Sequence, residues 1–425
     1  MRLLYFAQST ATYGETFIGL SLANQLRETG AKAHFACPPS AHALVEQHGY
    51  THTTLEESMG PDVRRHVDAL VRDWRPDAIV LADYFAYWSN LEKRFRTDPW
   101  FIEDYGVPVL PIDIWELEHS SFRIDVCGGA GQDVDKHILE MPAHLRPVPL
   151  AHVDGDLGHG FPYRIIEPEQ RVSEATRASI RAEFGLRDSD RLVMIPVSQW
   201  QQPPKGKHGM VSDMVHRLAS GVPRLLTHYL RQLPPQTHFL VVGEPLPGFD
   251  QLPAERTHVL PRVSYERYHA VLTSSDAVLS LNMGAPTVIR SLLMDVPVVM
   301  VTNRFNTQAE ETTQAADRPV GGLSPVVRAW LAEHGPIEPF RQWPKGAYHF
   351  QEPLLRDNGY AEAIVQVELL DENGLIGTLE KLLYDANEHG RHAERRARYL
   401  DAVRALPPTR EVVDRALRTT RAARG

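Results

Sequence analysis

The sequence predicts an α/β protein of two domains, each a parallel sheet with helices on both faces. Three observations predict it. The chain has 425 residues, too long for a typical single domain. In both halves, short apolar runs of strand length alternate with stretches of helical periodicity, the pattern of βαβ units. The stretch Asp276 to Val301 condenses that pattern into one unit of strand, tight turn, helix and strand.

The first domain is set at 1–170. Arg2 to Ala7 reads as a strand, and the loop Gln8 to Glu15 leads to a helix over Thr16 to Thr29. Phe17, Leu20 and Ala23 form its inward face, and Gly30 stops it. Ala33 to Cys37 is the next strand, followed by a helix from Ser40 to His48 and an amphipathic helix from Arg64 to Trp74. Pro76-Asp77 opens the strand Ala78 to Leu81, which Asp83 closes. Gly106 to Pro111 is one more strand. Residues 128–175 read as loop, with Gly128-Gly-Ala-Gly131 and a proline-bounded run from Pro142 to Pro149.

The second domain is set at 171–390. A helix from Ser173 to Phe184 stops at Gly185, and Arg191 to Ser198 holds its first strand. A helix from Pro223 to Gln232 precedes the strand His238 to Val242. Thr257 to Leu260 is a short third strand, and Ser264 caps a helix from Tyr265 to Thr273. Ala277 to Leu281 is an apolar run suited to a strand buried on both faces. Asn282 is read as the N-cap of the next helix, Gly284 as the turn and Pro286 as a first-turn residue. Val288, Ile289, Leu292 and Leu293 repeat at helical spacing before the strand Val296 to Val301. Residues 302–370 read as an insertion or as second-domain packing. Residues 391–425 are helical, interrupted at Pro407-Pro408.

The turn after Leu281 is the leading candidate site. A strand feeding a helix leaves free backbone N–H groups at the helix start, and with the helix dipole these favour an anion. Thr287 adds a hydroxyl. The competing reading is an ordinary βαβ turn. In the first domain the loop after the first strand lacks Gly-x-Gly-x-x-Gly, so the usual dinucleotide fingerprint is missing. It presents Glu15 instead, and Asp83 closes a later strand of the same sheet. A carboxylate there can act as a base if burial or a neighbouring carboxylate raises its pKa; otherwise an acid at that place simply favours the helix N-terminus. Asp113-Ile-Trp-Glu-Leu-Glu-His119 offers three carboxylates and an imidazole near the same edge, read either as an acceptor site with Trp115 and Glu116 as contacts or as a solvated helix start with Trp115 as packing.

The stretch from Thr257 to Val301 resembles the donor-binding signature of GT-B glycosyltransferases, the UDP-glycosyltransferase-like group, and both halves follow that family in outline. The resemblance implies two Rossmann-like domains facing across a cleft, with the nucleotide-sugar donor on the second and the acceptor on the first. It places Asn282 near the diphosphate, Gly284, Ala285 and Thr287 on the phosphate turn, and Asp295-Val296-Pro297 where the family has Gly-Val-Pro. Arg290 falls where the family has a Glu that holds the ribose. An Arg accepts no hydrogen bond, so the chain reads as a divergent member. Ser198 and Gln199 match the loop that touches donor phosphates, Arg262 and Val263 the turn at the donor base, and Asn306 and Gln308 the sugar contact. Gly14-Glu15 stands where the family carries its acceptor base. Glu15 is thus the implied base, with Asp83 assisting, and Thr12 and Gly14, in the same loop, join Trp115 and Glu116 as candidate acceptor contacts. The last helices are expected to cross back to the first domain.

Composition bounds the rest. Hydrophobic content of 43% and a mean hydropathy of −0.31 describe an ordinary globular chain. A net charge of −9 argues against a nonspecific nucleic-acid binder. Two cysteines make neither a disulfide framework nor a cysteine-rich zinc site. The sequence opens directly into an apolar strand and holds no apolar run of membrane-spanning length, so the expected location is cytoplasmic. Asp154-Gly-Asp156 is a short motif shared with metal-dependent glycosyltransferases, but it sits in a polar loop and is read as loop. Gly206-Lys207 lacks the rest of a P-loop.

The expected activity is transfer of a sugar from a nucleotide-sugar donor, UDP- or dTDP-linked, to a small-molecule acceptor of bacterial specialised metabolism. No metal and no further cofactor is expected. A homodimer stays open. The alternatives are a nucleotide-sugar epimerase or hydrolase of the same fold, and a non-catalytic nucleotide-sugar-binding partner protein.

Overall fold

The computed structural model describes residues 1–8, 14–119, 121–127, 131–153, 158–166, 171–198, 201–202, 213–261, 263–307 and 322–424. The chain forms two compact units. The first comprises Met1–Phe122, Asp133–Glu167 and Asp401–Gly425, and the second Arg123–Gln132 and Pro168–Leu400.

The first unit is built on a parallel sheet of β1 (Arg2–Phe6), β2 (Lys32–Cys37), β3 (Thr51–Thr54), β4 (Ala78–Leu81) and β5 (Val109–Pro111), in the order β3-β2-β1-β4-β5. Leu3 to Phe6 and Ala78 to Leu81 are buried on both faces, which is why β1 and β4 read as unbroken apolar runs. A parallel pair, β6 (His144–Val148) and β7 (Gly160–Arg164), continues from the carboxyl end of β5, where Ile112 bridges to Leu145. Strand β3 was not expected. Its sequence Thr-His-Thr-Thr has no aliphatic residue, and it is fastened to β2 partly by the His34 ring, 2.8 Å from the hydroxyls of Thr51 and Thr53.

Helix Gly14–Arg27 starts two residues earlier than expected. Leu20 and Ala23 are buried, but Phe17 is only half-buried. Ile18, Leu22 and Leu26 turn inward instead. The cause is Gly19, which lies so close to the sheet that an added Cβ would stand 3.2 Å from Ala82 Cβ and from the Phe35 ring. Helix Thr409–Ala422 completes this unit, burying Val412, Val413, Ala416 and Leu417. Thr409 donates to Gln25 Oε1 at 2.5 Å, and Arg164 Nη1 donates to the Leu406 carbonyl at 2.6 Å.

The second unit is built on β8 (Arg191–Pro196), β9 (Thr237–Val242), β10 (Thr257–Leu260), β11 (Ala277–Ser280), β12 (Val298–Thr302) and β13 (Val365–Glu368), parallel and in the order β10-β9-β8-β11-β12-β13. Val193, Ile195, Phe239, Val241, Leu279 and Val299 pack with Tyr229, Trp330 and Leu379 of the surrounding helices. Much of 302–370 is part of this unit's core. Trp330 and Trp343 are buried, and Trp330 Nε1 donates to the Gly221 carbonyl at 2.9 Å. Arg123–Gln132 joins this unit through Asp125, whose carboxylate accepts from the amides of Tyr348 at 2.8 Å and Phe350 at 2.9 Å. Among the described residues no helix is long and apolar enough to cross a membrane.

Candidate functional site

In both sheets the strand order reverses once, between β1 and β4 in the first unit and between β8 and β11 in the second. Loops at the carboxyl ends of strands flanking such a reversal form the ligand crevice of open α/β sheets. Glu15 and Asp83 follow β1 and β4; Ser198 and Asn282 follow β8 and β11.

At the first reversal four carboxyls come together from three loops. Asp83 is 6% exposed and caps helix Tyr84–Lys93, accepting from the Ala86 amide at 3.2 Å. Burial pushes its carboxyl up to about 8; the Glu15 charge adds to this, helix amides oppose it, and Asp113 contributes a smaller push. Asp113, at the end of β5, accepts from the amides of Trp115 and Leu117 at 3.2 and 2.9 Å. Burial raises it to about 7 against the pull of the Arg146 guanidinium. Burial thus favours the neutral form of Asp83. Glu15 is half-buried in the first turn of its helix, directly after Gly14.

Glu116 is 1% exposed and holds φ at +47°, a conformation a non-glycine residue adopts at a cost. Its carboxylate accepts from the His152 amide at 2.7 Å and stands 2.6 Å from His152 Nδ1. That contact assigns the Nδ1 proton and fixes the ring. Glu116, expected as an acceptor contact, is thus engaged within the wall. Trp115, from the same segment, is half-buried. Arg146 is wholly buried, with Nη2 2.7 Å from Glu118 Oε2. It packs closely on Gly160, where an added Cβ would lie 2.5 Å from Arg146 Cζ. His152 and Arg146 were not anticipated. Their partners lie 36 and 28 residues away in sequence, and no local motif marks them.

At the second reversal the helix begins at Pro286, with Ala285 rather than Asn282 as its N-cap. Asn282 instead closes a turn of its own: its Oδ1 accepts from the Gly284 amide at 3.1 Å and its carbonyl from the Ala285 amide at 3.2 Å. Met283 donates to Arg341, and Val288 to Ala285. The turn therefore offers fewer free amides than its pattern predicts, because Asn282 takes two of them back. The Thr287 amide has no acceptor among the described residues, and the Thr287 hydroxyl is hydrogen-bonded to that of Tyr268. If Tyr268 donates, the Thr287 proton points onward. Arg290 is buried, its guanidinium 4.4 Å from the Tyr265 ring centroid.

Ser198, whose amide donates to Gln201 Oε1 at 2.9 Å, lies at the end of β8. Val263 and Asn306 follow β10 and β12. Thr12, Gln199, Arg262 and Gln308 lie outside the described residues, as does Asp154 to Asp156. Among the described residues no group of three or more His, Cys, Asp or Glu is arranged to hold a metal.

A profile described as a family of unknown function (DUF6365) matches residues 22–423. No curated protein matches the sequence. Among solved structures, Anabaena HepE in complex with UDP-glucose superposes at a TM-score of 0.54 with 14% identity, covering 99% of this chain and 100% of that one. The spinosyn forosaminyltransferase SpnP superposes at 0.54 with 15% identity and 99% coverage of both chains. The glycosyltransferase VinC in complex with dTDP gives 0.54 and 13%, covering 99% of this chain and 100% of its own. The fold is that of the GT-B glycosyltransferases, two Rossmann-like domains in one chain.

Proposed function

The chain belongs to DUF6365, a family of unknown function, and we propose that it is a glycosyltransferase that moves a sugar from a UDP- or dTDP-linked donor to a small-molecule acceptor of specialised metabolism. The observation that carries this reading is the full-length GT-B fold with loop chemistry of two kinds at its two strand-order reversals. The acids lie in the first unit, and the helix N-terminus with Thr287 lies in the second.

In this reading the second unit holds the donor. The Thr287 amide and hydroxyl and the start of helix Pro286–Leu293 face the diphosphate, where preorganised donors stabilise the leaving group's charge. Ser198, Gln199, Asn282, Gly284 and Ala285 complete that wall. Arg262 and Val263 meet the base, and Asn306 and Gln308 the sugar. Arg290, stacked on Tyr265, replaces the ribose-binding acid, so the ribose is held differently from the family pattern. The first unit holds the acceptor, with Thr12, Gly14, Trp115 and Glu116 along its wall. Glu15 removes the acceptor proton, and Asp83, kept neutral, donates a hydrogen bond beside it. The glycosyl bond to the diphosphate breaks as the bond to the acceptor forms, and the acceptor proton ends on Glu15.

A second reading has its own observation. An epimerase or hydrolase works without an acceptor and needs several carboxyls around the sugar, and the grouping of Glu15, Asp83 and Asp113 favours it. The test is a thermal-shift panel with UDP, dTDP, GDP, ADP, NAD and NADP, with and without magnesium. At about 100 times its dissociation constant a ligand adds roughly 2.7 kcal/mol. A shift with UDP or dTDP is expected, and a shift only with NAD or NADP refutes the donor site. Turnover of the matching nucleotide sugar without acceptor decides for the second reading.

A further inference from the structure

A cavity of about 290 Å³ opens on the carboxyl edge of the first sheet, on the β1-β2-β3 side of the reversal and apart from the four carboxyls. Gln8, Pro38, Leu55 and Phe95 are its buried walls, Asn90 is half-buried, and Glu56, Glu57, Ser58 and Arg94 form the exposed rim.

The hydrogen-bond inventory of the walls leans towards acceptors. Gln8 Nε2 donates to the Ala36 carbonyl at 2.8 Å. Asn90 Nδ2 donates to the carbonyls of Gln8 at 2.5 Å and Ala86 at 2.7 Å. Backbone carbonyls only accept, so both amide groups must turn their NH₂ ends to them. Gln8 Oε1 and Asn90 Oδ1 are thereby directed away from those bonds, and neither receives a donor among the described residues. Neither is sealed from solvent. At the rim, Ser58 Oγ donates to Glu56 Oε2 at 3.2 Å, and Arg94 Nη1 stands 3.5 Å from Glu57 Oε2. Two acids against one base leave the rim net negative. The cavity therefore offers acceptors and negative charge around apolar walls of proline, leucine and phenylalanine. A carboxylate or phosphate would meet the one spare N–H of Gln8, but also the lone pairs of Gln8 Oε1 and Asn90 Oδ1 and the like charge of the rim acids.

We propose that this cavity binds a small primary amine with an apolar body, its ammonium group hydrogen-bonded to Gln8 Oε1 and Asn90 Oδ1 under the field of Glu56. The three N–H donors of an ammonium match that set, and a cavity of this size holds a ligand of one ring. The proposal concerns what the first unit binds and stands whether or not a sugar is transferred.

The test uses the full chain and three probes of one skeleton: 2-phenylethylamine, 2-phenylethanol and 3-phenylpropionate, titrated by calorimetry at neutral pH. The amine is expected to bind about tenfold more tightly than the carboxylate, with the alcohol between them. Glu56→Gln/Glu57→Gln, at exposed positions that leave the fold intact, should weaken the amine several-fold and leave the alcohol unchanged. Asn90→Leu should weaken both. Equal affinity for amine and carboxylate, no detectable amine binding, or amine binding indifferent to all three substitutions overturns the proposal. UDP and dTDP thermal shifts on the same preparations report the donor site separately. A chain that shifts with a nucleotide but ignores the amine refutes this inference alone.

Discussion

At its strand-order reversal the first sheet gathers Glu15, Asp83, Asp113 and Glu116, two of them with pKa values lifted to about 8 and about 7. At the corresponding place the second sheet presents an amide, a hydroxyl and a guanidinium, on Asn282, Thr287 and Arg290. The backbone plan is the same in both, and the furnishing is opposite. Burial is the largest cause of both shifts, so the first crevice carries a desolvation cost on its acids, as the second does on the buried Arg290. Hydroxyl and amide groups can be satisfied within the turn, as Asn282 and Tyr268 show. In the proposed function one crevice moves protons and the other holds charge in place.

Four substitutions break or sharpen that contrast. The largest effect is expected from Glu15→Gln: turnover should fall by about 10²–10⁴, the range of general acid–base contributions, while the thermal shift with UDP or dTDP is retained. Unchanged turnover would remove Glu15 from the reaction.

Asp83→Asn comes next and is read through pH. The folded-state pKa of about 8 lies above the ordinary 3.8. Between those values the folded chain binds more protons than the unfolded one, so this group's contribution to stability is full below about 4 and lost as pH rises towards 8. Asparagine keeps the cap and removes the titration. The melting temperature of the variant relative to wild type should therefore climb between about pH 5 and about pH 8; a difference constant with pH would show that Asp83 is ordinary.

Thr287→Val acts in the other crevice. It should weaken nucleotide binding about tenfold, the loss of one hydrogen bond to a charged group, with no change in the pH profile of stability. Nucleotide affinity equal to wild type would leave the turn as plain architecture. The smallest effect belongs to Arg290→Met. A guanidinium over an aromatic face contributes about 0.5–2 kcal/mol, so stability should fall within that range. A loss of nucleotide binding instead would give Arg290 a direct role at the ribose.

The strands that position these crevices were legible because they are buried on both faces: Leu3 to Phe6, Ala78 to Leu81 and Ala277 to Ser280 are unbroken apolar or small runs. The edge strands were not. Thr51–Thr54 is held partly by side-chain hydrogen bonds to His34, and Val365–Glu368 alternates buried and more exposed residues over only four positions. Glu15 and Asp83 could be read as strand-end acids, but the raised pKa of Asp83 depends on burial and on neighbours from two other loops. The Glu116–His152 pair joins segments 36 residues apart. The Asn282 turn was misread as a cap because its side chain and carbonyl compete for amides the helix would otherwise present.

Helix Thr409–Ala422 carries a consequence for the order of events in the cell. It seals the first unit over Gln25, in the same helix that begins with Gly14-Glu15, yet it is made after the whole of the second unit. During synthesis the sheet that opens the chain must wait, with the surface destined for Val412, Val413, Ala416 and Leu417 uncovered, until the ribosome has passed residue 422. A chain truncated after Leu400 should then be cut by protease in the first unit more readily than in the second, and the full chain should lose that difference.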